Sequence, residues 1–129
     1  MKVTHQSEVG AVRRMVVKRP LDAFRSSEFI NEQWQALNYE APPDLESAIE
    51  EHEAFCRILQ DNGVELHYLP SAPDTGIDSL YVRDAAIVCD KGAILCKMGK
   101  SMRSGEPEAQ ESMFRNLGIA ILGSISGNE

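Results

Sequence analysis

The sequence lacks the features that mark a nucleic-acid-binding or membrane protein. It has 13 basic residues against 20 acidic ones, which gives a formal net charge of −7, and it contains no block of Lys or Arg. Such a chain offers little attraction to nucleic acid or to an anionic membrane surface. No apolar run approaches the roughly 18 residues that a membrane helix needs. We therefore expect no nucleic-acid partner and no membrane partner.

Cysteine is also scarce. Cys56, Cys89 and Cys96 are an odd number, and their spacing matches no zinc or redox motif. We expect all three to be small apolar core residues, because free cysteine is among the most buried residue types. The first eight residues have no apolar segment of the kind that a secretion signal needs. We accordingly expect a cytoplasmic protein and assign neither a metal ion nor a cofactor to it.

What remains is the composition of an ordinary folded domain. About 43% of the 129 residues are apolar and 26% are charged, values typical of globular domains. A chain of this length fits one domain, and we expect that domain to cover residues 1–129.

Local patterns predict an α/β fold. Asp44 is the expected N-cap of a long helix, and Asn62-Gly63 is its expected end. Asp90-Lys91-Gly92 is a hairpin signal between two strands. The sequence predicts strands at 11–17, 64–69, 79–82, 85–89, 93–98 and 119–122, and helices at 28–37, 44–62 and 107–117.

The connection over residues 21–43 is long and carries several aromatic residues. Long connections of this kind are often lids or binding loops. Trp34 and Leu37 are the lid candidates. In the alternative interpretation, these side chains merely anchor a loop to the core.

Two parts of the chain resemble each other. Each has an apolar residue, Arg, any residue and Leu, then a Gly and the start of a strand, beginning at Cys56 in one copy and at Phe114 in the other. A period of roughly 55 residues suits a repeated supersecondary unit. The unit would be strand, strand, helix, strand, although any helix-to-strand turn shares some of these features.

The segment 78–84 carries the most informative chemistry. Asp78 and Asp84 bracket a short apolar stretch, and Arg83 precedes Asp84 directly. A buried Asp is costly unless it is paired, so Asp84 is expected to meet Arg83, backbone donors or a cationic ligand. The residues alone leave both a structural ion pair or turn cap and a ligand site open.

Tyr81-Val82-Arg83-Asp84 resembles the aromatic-x-[Arg/Glu]-Asp signature of the guanidino-group-modifying superfamily. That superfamily contains arginine deiminases, dimethylarginine dimethylaminohydrolases and amidinotransferases. The resemblance implies that Asp84 binds a substrate guanidinium, with Asp78 at the position of a second acidic residue. Met98-Gly99-Lys100 and Arg103-x-Gly105-Glu106 are similar to the second structural module of the members of this family.

The resemblance also implies a fold. Members of this superfamily have the pentein fold, an α/β propeller of five strand-strand-helix-strand modules around the substrate. This chain is similar to the first two modules, with module 1 at about 9–70 and module 2 at about 77–125. The connection 21–43 would then be a lid-like part of module 1.

The family's catalytic groups have no counterpart in the sequence. The family uses a nucleophilic Cys and a His-x-Asp/Glu motif, and none of His5, His52 and His67 has an acidic residue two positions later. We therefore assign no catalytic residue.

Three functions stay open after this comparison. The chain is the N-terminal portion of an amidinotransferase- or arginine-deiminase-like protein that is inactive alone, or a module that binds an arginine-like guanidino compound at Asp78 and Asp84. The third possibility is a non-catalytic interaction module without a ligand. In each case we expect a homo-oligomer, most simply a dimer, because missing modules would leave strand edges uncovered.

Overall fold

A computed structural model describes residues 7–127. His5 and most of the segment tested for a secretion signal lie outside the described residues. The strands are β1 (Arg14–Val17), β2 (Glu65–Tyr68), β3 (Ala86–Cys89), β4 (Gly92–Leu95) and β5 (Ile121–Ser124). The α-helices are α1 (Pro20–Phe24), α2 (Ser27–Gln33), α3 (Leu45–Asp61) and α4 (Glu106–Asn116), and 3-10 helices cover Ile77–Leu80, Val82–Ala85 and Ser101–Arg103.

The first half is a β-α-β unit. β1 and β2 are parallel, in a register that pairs Arg14 with Glu65, and α3 makes the crossover between them. The predicted N-cap is confirmed, because the Asp44 carboxylate accepts a hydrogen bond of 2.8 Å from the backbone N–H of Ser47. This bond satisfies one of the donors that every helix leaves unpaired in its first turn.

The second half is a three-stranded sheet covered by α4. β3 and β4 form the predicted antiparallel hairpin, in which Cys89 pairs with Gly92 across the turn. β5 then adds in parallel to the other edge of β4. Phe114 of α4 is buried, as are Ala93 and Leu95 of β4, so this helix covers one face of the sheet.

Both long helices end in the same kind of turn. Gly63 and Gly118 have φ values of 78° and 70°, which side chains other than glycine adopt at a cost. The N–H of Val64 donates to the carbonyl of Leu59 at 3.0 Å, and the N–H of Ile119 donates to that of Phe114 at 2.8 Å. In these two turns Leu59 and Phe114 occupy equivalent positions. The sequence match aligned Cys56 with Phe114, so it differs from the structural equivalence by three residues.

The predicted strand at 79–82 is wrong. The N–H groups of Ser79 and Tyr81 donate to the carbonyls of Gly76 and Asp78 at 3.1 and 3.0 Å, which is the pattern of a 3-10 helix. Asp78 and Ser79 are both buried, whereas successive residues of a strand point to opposite faces. The last strand also begins later than predicted, because the Ile119 N–H closes the turn after α4.

The connection 21–43 contains two helices. Leu37 is buried in a cluster with Ala23, Phe24, Ile30 and Ile77, and Trp34 packs against that cluster. A tight turn follows α2, in which the N–H of Tyr39 donates to the carbonyl of Trp34 at 2.9 Å. Both lid candidates are thus in contact with the core, on a turn that lies beside the 3-10 helix carrying Asp78.

One expectation about burial needs correction. Cys56 is buried, but Cys89 and Cys96 are only half-buried. Cys89 ends β3 and Cys96 follows β4, where the sheet is incompletely covered. Within residues 7–127, no helix is long and apolar enough to cross a membrane.

Candidate functional site

The guanidinium of Arg103 is the centre of a buried polar cluster. Its Nε and Nη2 atoms donate to the two carboxylate oxygens of Glu106, each at 2.8 Å. Arg103 ends the last 3-10 helix and Glu106 begins α4, so the two side chains are three residues apart. Such two-point bonds fix the orientation of the guanidinium as well as its position.

The same guanidinium brings the two predicted carboxylates together. Its Nη1 donates to Asp84 Oδ2 at 2.8 Å, and its Nε lies 3.9 Å from Asp78 Oδ2. Nη2 also donates to the backbone carbonyls of Asp78 and Tyr81, at 3.3 and 3.2 Å. Arg103 therefore holds both ends of the segment 78–84.

The two carboxylates differ sharply in accessibility. The side chain of Asp84 is 53% exposed, whereas that of Asp78 is 4% exposed. The sequence alone leaves Arg83, backbone donors and a cationic ligand open as partners of Asp84, and the structure pairs its carboxylate with Arg103 instead. Arg83 points into solvent, with its guanidinium 3.5 Å from Glu8, because the 3-10 turn directs neighbouring side chains to different sides.

Lys100 completes the surroundings of Asp78. Its ammonium donates to Asp78 Oδ2 at 3.0 Å and to the backbone carbonyl of Leu37 at 2.8 Å. The buried hydroxyl of Tyr39 lies nearby and meets no partner at hydrogen-bond geometry among the described residues. Burial, followed by the neighbouring Asp78 carboxylate, raises the pKa of Tyr39 above its ordinary value.

The cluster carries one uncompensated negative charge. Its three carboxylates belong to Asp78, Asp84 and Glu106, and its two cations belong to Lys100 and Arg103. The hydrogen bonds to Glu106 raise the pKa of Arg103, while burial opposes this effect, so the guanidinium stays charged. Of these five charged side chains, Asp84 is the most exposed.

Anchors on both sides hold the segment 77–85 in place. The N–H of Ile77 donates to the side-chain oxygen of Gln33 at 3.0 Å, and the Gln110 side-chain amide donates to the carbonyl of Val82 at 2.6 Å. A Cβ at Gly105 would collide with the backbone of Asp74. Glycine thus permits the close approach of two loops directly beside Arg103.

Sequence reasoning assigned no role to Arg103, Glu106 or Lys100. The available signal was the spacing of Arg103 and Glu106, which are three residues apart at the start of a predicted helix. Among the described residues, no group of three or more His, Cys, Asp or Glu side chains is placed to hold a metal ion.

A known protein family matches the part of the chain that contains this site. The family described as N,N dimethylarginine dimethylhydrolase, eukaryotic, matches residues 23–122, a range that includes Asp78, Asp84 and Arg103. The chain belongs to this dimethylarginine dimethylhydrolase family. It is thereby a member of the pentein superfamily, as the signature at 81–84 predicts.

Curated relatives in this superfamily are considerably longer than the chain. The N(G),N(G)-dimethylarginine dimethylaminohydrolase of Pseudomonas aeruginosa is 37% identical over 76 residues, which are 58% of this chain and 29% of that protein. An arginine deiminase of Staphylococcus epidermidis is 30% identical over 119 residues, or 92% of this chain and 28% of that protein. The matched segments thus cover less than a third of the length of these relatives.

Solved structures show the same fold. A variant of the Pseudomonas aeruginosa dimethylarginine dimethylaminohydrolase, complexed with citrulline, matches 92% of this chain and 44% of its own length, with a TM-score of 0.65 and 23% identity. A variant of AgrE complexed with L-arginine matches 92% of this chain and 17% of its own length, with a TM-score of 0.70 and 14% identity. The mixed α/β architecture is therefore that of pentein structures.

Proposed function

We propose that the chain is the N-terminal portion of a guanidino-modifying protein and binds arginine-like compounds at Asp84 and Asp78. One observation carries the proposal. The two carboxylates of the segment 78–84 converge on one buried guanidinium, and one of them, Asp84, is half exposed. The relatives that match this chain act on arginine or dimethylarginine by name, which supports a guanidino ligand.

The geometry suits a planar cation. A carboxylate can accept two parallel hydrogen bonds from a guanidinium, each charge-assisted and therefore stronger than a neutral hydrogen bond. Asp84 uses one oxygen for Arg103 and is exposed enough for a second partner. Because Arg103 is itself fixed by Glu106, Asp84 is held in one orientation before a ligand arrives.

We further propose that the chain catalyses no hydrolysis by itself. Within residues 7–127, the hydrogen bonds of the Arg103 cluster involve no cysteine and no histidine. The thiol of Cys56 instead lies 3.5 Å from the His52 ring on α3. In this proposal the β1–α3–β2 unit and the three-stranded sheet with α4 correspond to two of the five modules of a complete propeller, at about 9–70 and 77–125. The remaining modules would supply a nucleophile.

The test of the site is Asp84→Asn, which retains the shape of the side chain and removes its charge. We expect the affinity for L-arginine, measured by calorimetry, to fall at least about tenfold, or ~1.4 kcal/mol. Asp90→Asn in the exposed β3–β4 turn makes the same change of charge and should bind like the unmodified chain. Equal affinities in all three proteins would remove Asp84 from the site, and citrulline or ammonia release in the same samples would contradict the absence of catalysis.

An oligomeric interaction module without a ligand is the alternative function, and one surface favours it. Ile87 of β3 and Leu122 of β5 are exposed. Ile87 pairs with Ile94, and a Cβ at Gly92 would touch Leu122. These contacts place the side chains of Ile87, Ile94 and Leu122 on the face of the sheet opposite α4. Uncovered apolar faces of this kind are typical of association surfaces.

We expect a dimer built through this face. Light scattering at tens of micromolar should give twice the chain mass of 14.3 kDa, and Ile87→Asp should shift the protein toward monomer. Leu21→Asp, an equally polar change at an exposed leucine of α1, should leave the mass unchanged. A monodisperse peak at the mass of one chain in the unmodified protein would contradict association.

A further inference from the structure

We propose that Lys100 occupies the position of a ligand cation at Asp78, and that a guanidino ligand must displace its ammonium to reach that carboxylate. The inference rests on the proposed function and adds a residue that sets affinity. It also accounts for the burial of Asp78 in this structure.

The contacts of Asp78 support an internal occupant. Its side chain is 4% exposed, and its Oδ2 atom is 3.0 Å from the Lys100 ammonium and 3.9 Å from the Arg103 Nε. A positive charge therefore already sits at the distance that a ligand cation would take. A carboxylate in this state binds a second cation only weakly, because its charge is largely compensated.

Of the two cations, Lys100 is the one that can leave. The Arg103 side chain is buried and bound at two points by Glu106. The Lys100 side chain is 45% exposed, so its ammonium can turn into water without losing solvation. An ammonium on a flexible four-carbon stem also exchanges partners more readily than a planar, doubly bound guanidinium.

Lys100 also connects Asp78 to the turn after α2. Its ammonium donates to the Leu37 carbonyl at 2.8 Å, while the Leu37 side chain is in the core. Displacement therefore leaves that carbonyl without its charged donor and loosens residues 37–39, although the side chain keeps the turn attached. Trp34 starts this turn and is the single tryptophan of the chain, so its fluorescence reports on the event.

The experiment replaces Lys100 with methionine, which retains the length of the stem and removes the ammonium. We expect calorimetry to show L-arginine binding about tenfold more tightly than to the unmodified chain. Lys97→Met removes the same charge from an exposed lysine three residues away, and should change the affinity less than twofold. Lys100→Gln serves as a second neutral variant should the methionine protein fold poorly.

A measurement without ligand tests the connection to Leu37 separately. Saturating L-arginine should change the Trp34 emission and speed amide exchange at 37–39 in the unmodified chain. Lys100→Met should show both changes before any ligand is added, and Lys97→Met should show neither. Unchanged exchange at 37–39 in Lys100→Met would overturn the connection even if no ligand binds to any protein.

The affinity outcomes separate the two proposals. Binding by the unmodified chain that is equal or weaker in Lys100→Met overturns the displacement and makes Lys100 part of the ligand's own contacts. No detectable binding to any variant at millimolar L-arginine overturns the proposed function itself. If L-arginine bound more tightly to Lys97→Met as well as to Lys100→Met, the loss of one positive charge anywhere near the site would explain the gain. That result would also overturn the specific role of Lys100.

Discussion

Replacing Arg103 with methionine is expected to lower the free energy of unfolding by about 3–5 kcal/mol, because the change leaves the buried carboxylate of Glu106 without the cation that binds it. Glu106 is buried and accepts both of its short hydrogen bonds from Arg103. Three further bonds, to Asp84 and to two backbone carbonyls, are lost with the same side chain. Urea unfolding followed by Trp34 fluorescence measures the loss.

Arg115→Met is the matched control for this prediction. Arg115 is paired with Glu111 one turn away on the exposed surface of α4, and exposed pairs contribute at most about 1 kcal/mol. A double change of Arg103→Met and Glu106→Leu should recover part of the loss, since removing both members of a buried pair leaves no isolated charge. An Arg103→Met protein as stable as Arg115→Met would show that the cluster does not hold the segment 78–84.

Replacing Lys18 with methionine is expected to raise the free energy of unfolding, by about 1–3 kcal/mol at pH 7. Lys18 follows β1 directly and is 1% exposed. Among the described residues its ammonium makes a single hydrogen bond, of 3.4 Å, to the Thr75 hydroxyl. Methionine has nearly the same length and shape, and it removes the cost of burying a poorly solvated charge.

The pH dependence of this effect follows from the pKa of Lys18. Burial, and then the positive charge of Arg25, lower that pKa below its ordinary value of 10.5, against smaller opposite effects of Glu106 and Asp22. The unfolded chain therefore binds the Lys18 proton more tightly than the folded one. The stability of the unmodified chain rises relative to Lys18→Met as the pH rises from the folded pKa toward 10.5.

Two results of urea unfolding experiments would contradict this account of Lys18. One is a Lys18→Met protein that is less stable than the unmodified chain at pH 7. The other is a stability difference between the two proteins that stays constant as the pH approaches 10.5. Lys91→Met in the exposed β3–β4 turn is the control. The free energy of unfolding of this variant should differ from that of the unmodified chain by the same amount at every pH.

The elements that sequence patterns predicted well depend on local signals. The N-cap at Asp44, the hairpin turn at Asp90-Lys91 and the helix ends at Gly63 and Gly118 each involve residues within a few positions of one another. Their backbone preferences and hydrogen bonds are satisfied nearby, so a short window of sequence contains the required information.

The segment 79–82 shows where such patterns stop being sufficient. Its apolar residues are equally compatible with a short strand and with a turn, because a run of four is too short for periodicity to decide. The outcome depended on Gln33 and Gln110, which anchor the segment from distant helices, and on the burial of two successive polar side chains.

The sequence by itself determined the chemical character of the site, since Asp78 and Asp84 and their family signature are local features. Only the tertiary structure decided which cations they meet. Arg83 is adjacent to Asp84 in sequence but points away from it, while Arg103 reaches it from 19 residues later. The physical reason is that charges pair through space: the loop after β4, which glycine at position 105 lets approach Asp74 closely, carries Lys100 and Arg103 to the carboxylates, and no local spacing encodes that approach.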